Sequence, residues 1–290
     1  MTLTKSLTRS SSAGDDLVGV IRKLSTEVAA GDIRLPSLPD IAVRVQKVLE
    51  DPRAARSRVA QVIGADAALA ARILRLANSA FLNPSTQQIT DLQQALTRLG
   101  QQLVRCSAVS FSLQQLELGS GETELRSQVR ELWRQGALVA SIAYVLARET
   151  GAAKADEALM TGLMHNIGRL YIAVNEPRRD ENSAWEQVVG EWHPQIARSI
   201  LKHWKFPARL IAAVAGQNMT DHETGADDGL TDVLTVSIAL ASCVFQRELL
   251  DDAVTAGLPF RRLRLDSAAC QRLLAAASDQ IKALRAALSS

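Results

Sequence analysis

The stretch "DAALAARILRLANSAFLNPSTQQITDLQQALTRLG", residues 66–100, decides the fold. Leu69, Ile73 and Leu76 recur at the three- and four-residue spacing of a helix with one apolar face. Asp66 stands ahead of them as an N-cap, and Asn78 and Ser79 end the run with side chains able to bond the carbonyls orphaned at a helix terminus. A second start follows at once. Thr90 reads as its cap, Asp91 lies near the positive helix end, and Gly100 is a stop signal.

Working outward, the same period continues. Ile41, Val45, Val48 and Leu49 form one stripe, introduced by "SLPD" with Ser37 as N-cap and Pro39 and Asp40 in the first turn. Leu273, Ala277, Ile281, Leu284 and Leu288 form another near the C-terminus. No polar/apolar alternation bounded by hairpin turns appears. Hydrophobic residues make up 47% of the chain, with Ala and Leu dominant and aromatics only 4%, a balance that suits helices rather than sheets. An all-α chain is expected. Residues 1–14 read as a disordered Ser/Thr-rich tail, 15–118 as a first helical lobe and 119–290 as a second. The boundary is "LGSGETE" (118–124), and the charged loops "NEPRRDEN" (175–182) and "NMTDHETGADDG" (218–229) interrupt the second lobe.

Charge excludes several function classes. Lys+Arg total 33 against 31 for Asp+Glu, a net charge of +2 that provides no general attraction to nucleic acid or to an anionic membrane. Cys106, Cys243 and Cys270 are odd in number and form no CxxC pair, so a reducing cytoplasm is the expected setting. The polar N-terminus lacks the apolar core of a secretory signal, and the runs "GALVASIAYVLA" and "VLTVSIALASCVF" are shorter than the roughly 20 residues that span a bilayer. No GxSxG, Walker or GxGxxG pattern is present.

On a helical wheel, residues 158–174 read as one helix with two crowded faces. Leu159, Leu163, Ile167, Leu170 and Val174 form a core stripe. Ala158, Thr161, Gly162, His165, Gly168, Arg169 and Ile172 share the other face, where the small residues predict a close neighbour. Taken alone, His165 reads as a core histidine satisfied by one or two hydrogen bonds.

The segments "LPSLPDIAVRVQKVLEDP", "LRLANSAF" with the following Ile89, Ala95, Leu96, Leu99 and Gly100, and "MTGLMHNIGRL" resemble the HDOD family, in that order. The resemblance spans residues 35 to about 245. It implies an all-helical N-terminal lobe followed by a degenerate relative of the HD metal-dependent phosphohydrolase domain. HD enzymes hold metal with a His, an adjacent His-Asp pair, further His residues and a distal Asp, because hard divalent cations need several imidazole or anionic ligands to offset dehydration. Carried onto this chain, the pair becomes His165 and Asn166. The upstream His falls on Gln135, the further His pair on Gln217 and Asn218, and the distal Asp at about Leu240. One ligand of the set remains, so no catalytic or metal residue and no cofactor is assigned.

The resemblance therefore implies a non-catalytic signalling or scaffold module in a bacterial pathway. Its partners would be regulatory proteins of cyclic-dinucleotide or two-component systems; with no room for a receiver or cyclase domain of its own, its input would come from a partner, from regulation of its expression or from a ligand in the relic pocket. Two other readings stay open: a relic pocket at His165, Asn166 and Arg169 that binds a nucleotide or other anion, and a weak metal-dependent phosphohydrolase. His193 and His203 stand at neither i+3 nor i+4 spacing, and His222 sits in an acidic surface loop. The arginines of "PFRRLRLD" (Arg261, Arg262, Arg264) could grip phosphate or an acidic partner, but a solvated turn is the favoured reading.

Overall fold

The computed structural model describes residues 40–51, 53–79, 82–83, 87–119, 123–175, 183–218, 229–243 and 257–289, with a few isolated positions besides. The tail at 1–14, the Ser37 cap and His222 lie outside them. The described residues form helices and connecting turns with no strand among them.

Local chemistry sets the helix ends. After α1 (Asp40–Glu50) and α2 (Arg56–Gly64), Asp66 opens α3 (Ala67–Ala77) by accepting from the amides of Ala68 and Leu69. Asn78 closes it. Its Nδ2 donates to the Leu74 carbonyl at 2.9 Å and the Ile89 carbonyl at 2.6 Å, while its Oδ1 accepts the Ile89 amide at 2.7 Å. One amide side chain thus ties a helix end to the segment that leads into α4 (Leu92–Gly119), which accounts for the polar close of "LANSAF". The cap of α4 is Asp91, whose Oδ2 accepts the Gln94 amide at 3.0 Å, and not the expected Thr90. A side-chain cap bonds the amide two or three residues on, so Thr90 stands one position too early. Gly100, at φ 72° and ψ 162°, interrupts α4 as its stop signal predicts.

Helix α5 (Thr123–Thr150) is the central strut, packing against α4, α6 (Ala155–Met164), α7 (Ile167–Asn175), α10 (Gly229–Cys243) and α13 (Ser278–Ser289). Ala137, Ala140, Ile142, Ala143 and Leu146 on α5 have no solvent exposure. Burying a side chain the size of Ile142 or Leu146 stabilises the fold by about 1.5–3 kcal/mol. Helix α13 also reaches α3, and α4 packs on α6.

A second tie lies at the end of α8 (Ser183–His203), before α9 (Ala208–Ala215). Lys205 adopts the left-handed region at φ 54°, and the Phe206 amide bonds back to the Leu201 carbonyl. Three contacts fix this turn: Gln46 Nε2 to the Trp204 carbonyl at 3.0 Å, Arg105 Nη1 to the Lys205 carbonyl at 3.1 Å, and Lys205 Nζ to Glu50 at 3.1 Å.

The arginine turn departs from the solvated reading. Arg262, closing α11 (Leu258–Arg262) ahead of α12 (Ser267–Ala276), grips the buried Asp232 of α10 with Nε at 2.7 Å and Nη2 at 2.5 Å. A buried carboxylate needs such a partner, and the planar fork of Arg supplies both donors. Arg264 remains exposed.

Candidate functional site

Residues 158–174 are not one helix. The chain turns at His165 and Asn166, between α6 and α7. Two carbonyls of the helical ladder are taken by side chains there. His165 Nδ1 lies 2.6 Å from the Gly162 carbonyl, and Gln217 Nε2 donates to the His165 carbonyl at 3.2 Å. Both faces are crowded, as the small residues predict. A Cβ on Gly162 would lie 2.5 Å from the Ala140 Cα, and one on Gly168 would lie 2.0 Å from the His193 carbonyl oxygen.

The hydrogen bond to Gly162 places a proton on Nδ1 of His165, because the carbonyl can only accept. The ring is buried, and burial pulls its pKa down to about 4, so the imidazole is neutral. His193 on α8 comes beside it, also buried, with its Nδ1 bonded to nothing. Burial, then the charge of Arg169 and the neighbouring His165, push the His193 pKa down to about 2. His193 was not legible as part of this centre, since its spacing to His203 suggests no pairing. The only sequence signal is Gly168, whose missing side chain marks where α8 crosses.

The other positions carried over from the HD pattern are distributed as follows. Asn166 lines a cavity of only about 20 Å³, walled by Val129, Leu132, Trp133, Leu163, Ile167 and Leu170. That volume holds about one water, and its walls offer no second polar ligand. Trp133 lies 5.5 Å beneath the guanidinium of Arg72, a residue 3% exposed despite its charge. Gln217 is buried and donates to the carbonyls of Val214 and His165. Asn218 donates at 2.7 Å to the Gly190 carbonyl. Pro194, inside α8, has no N–H to give that carbonyl, and the amide takes its place. Leu240 is fully buried in the core, and Gln135 is exposed. These residues do not fit a divalent metal: Gln217 and Asn218 give their amides to backbone carbonyls, Leu240 offers no ligand atom, and His165 and His193 supply only two imidazoles. Among the described residues, no three His, Cys, Asp or Glu side chains lie close enough together to hold one.

Arg169 faces elsewhere. It lines a cleft of about 280 Å³ between α5, α7 and α8, together with Gln135 and Trp185, and pairs with Glu186 at 3.3 Å. The structure therefore places Asn166 and Arg169 on different cavities, with His165 lining neither.

Comparison with known proteins adds four findings. The sequence profile of the HDOD domain matches residues 35–220. A candidate metal-dependent phosphohydrolase from Shewanella amazonensis SB2B superposes with a TM-score of 0.70 at 25% identity, over 94% of this chain and 99% of that one. An HDOD domain protein of unknown function from Geobacter sulfurreducens gives 0.61 at 22% identity, over 93% and 98%. An uncharacterized protein of Treponema pallidum (strain Nichols) is 24% identical over 222 residues, 69% of this chain. The match spans 40% of that protein's length.

Proposed function

This chain belongs to the HDOD domain family, and from that premise we propose that it is a non-catalytic signalling and scaffold module that works through protein contacts. Its partners are regulatory proteins of bacterial cyclic-dinucleotide or two-component pathways, and it acts in the cytoplasm without binding nucleic acid or membrane. No described helix is long and apolar enough to cross a membrane. The functional unit comprises two lobes, 15–118 and 119–290. The observation that carries the reading is the fate of the metal-ligand positions: Asn166 faces an apolar cavity of about 20 Å³, and Gln217 and Asn218 bond backbone carbonyls. Such residues support a scaffold. A phosphohydrolase, which the name of the Shewanella relative suggests, would need a metal to polarise phosphate and activate water.

The test is metal analysis of the purified protein with phosphoesterase assays. Fe, Mn and Zn together should stay below about a tenth of an equivalent. Turnover of phosphomonoesters or phosphodiesters that His165→Ala abolishes would overturn the proposal. Asn166→Asp should not restore metal binding. It should instead destabilise the protein by about 1–3 kcal/mol at neutral pH, because the new carboxylate would enter an apolar wall without a partner.

A further inference from the structure

The cleft beside Arg169 is a different cavity from the one at Asn166, and its chemistry is different. Its floor is apolar, made by Leu132, Ile172 and Val189, and its wall is the half-buried Trp185. The rim charges cancel in place: Arg169 pairs with Glu186 at 3.3 Å, and Glu131 with Arg134 at 2.8 Å. A bare ion of either sign therefore gains little there. Gln128 and Gln135 add amides; Gln135 Nε2 gives one N–H to Glu131 at 3.3 Å, which leaves its second N–H and its oxygen for a ligand. An apolar floor, an indole and an edge of amides suit a flat ring system with hydrogen-bonding groups on its perimeter. The volume of about 280 Å³ is at the lower end for ligand pockets, enough for one fused ring and too small for an extended ligand.

We propose that this cleft between α5, α7 and α8 binds one purine base, stacked against Trp185 and hydrogen-bonded along its edge by Gln128 and Gln135. The sugar of the nucleoside lies at the open rim, beside Glu131 and Glu186, where both carboxylates are half-exposed. The proposal deepens the signalling reading above, giving the module a small-molecule input, but it does not depend on the chain being inactive.

The test is isothermal titration of the full chain with adenosine and with guanosine, using uridine as the single-ring control. Nucleosides have no phosphate ester, so the outcome is independent of any phosphoesterase activity. Saturable binding of one purine nucleoside per chain is expected, with uridine at least tenfold weaker. Trp185→Ala should weaken binding about five- to a hundredfold, the range that the loss of one base–aromatic stack carries. Trp185 packs against the core, so the exposed Gln135→Ala serves as the second variant. It should keep the wild-type melting temperature and weaken binding several-fold. The proposal is overturned if neither purine nucleoside binds at millimolar concentration, if uridine binds as tightly, or if Gln135→Ala and a folded Trp185→Ala both bind like the wild type.

Discussion

His165 and His193 are 4% and 3% exposed, and both are held neutral by burial. Their folded pKa values, about 4 and about 2, lie below the ordinary 6.5, so the unfolded chain takes up protons first on acidification. Stability is therefore full above pH 6.5 and falls as pH drops. The loss continues to about pH 4 for His165 and to about pH 2 for His193. At pH 5 each imidazole should cost about 2 kcal/mol relative to neutral pH. Urea unfolding at pH 7 and pH 5 measures this, and His193→Gln should flatten the dependence by about half. The sequence pointed to His165 through its neighbours, but the burial of His193 arises from a helix crossing that no local pattern reports.

The helices meet through glycines, and substitution at three of them, Gly162, Gly168 and Gly190, has effects of different sign. Gly162→Ala and Gly168→Ala each force a methyl onto backbone atoms of Ala140 or His193, so both should cost about 2–4 kcal/mol or prevent folding. Gly190→Ala, inside α8, meets only the Arg169 Nη2 at 3.7 Å. Removing backbone freedom there should stabilise the helix by about 0.5–1 kcal/mol. Thermal unfolding of the three variants separates the cases. The crowding at Gly162 and Gly168 was legible in sequence from small residues sharing one wheel face. The break at His165 and Asn166 was not, because one of the two side chains that take ladder carbonyls there, Gln217, comes from far along the chain. Capping was legible to within one residue, and Asp91 outcompetes Thr90 through reach alone. Helix class was therefore readable from periodicity. The site was not, since the amides at 217 and 218 show their role only beside the carbonyls they satisfy.

Across the whole molecule, the turn at Trp204–Phe206 is one of the places where the first helices meet the later ones. Arg105 is 9% exposed and donates to the Lys205 carbonyl, with Glu50 and Gln46 anchoring either side. Arg105→Ala should destabilise the fold by about 1.5–3 kcal/mol, the scale of a charge-assisted hydrogen bond in a nearly dry setting. Lys205→Ala, whose ammonium is mostly exposed, should change stability by less than about 1 kcal/mol. Chemical denaturation of the two variants tests the ordering. The same turn also has a temporal consequence. Gln46 and Trp204 are 158 positions apart, and Arg105 and Lys205 are 100 apart, so these bonds wait for a late segment. During synthesis the early helices emerge first, with the face around Gln46 and Arg105 still uncovered until the turn leaves the ribosome. Closing such long loops is slow, and until it happens that face of the early helices lacks its partner.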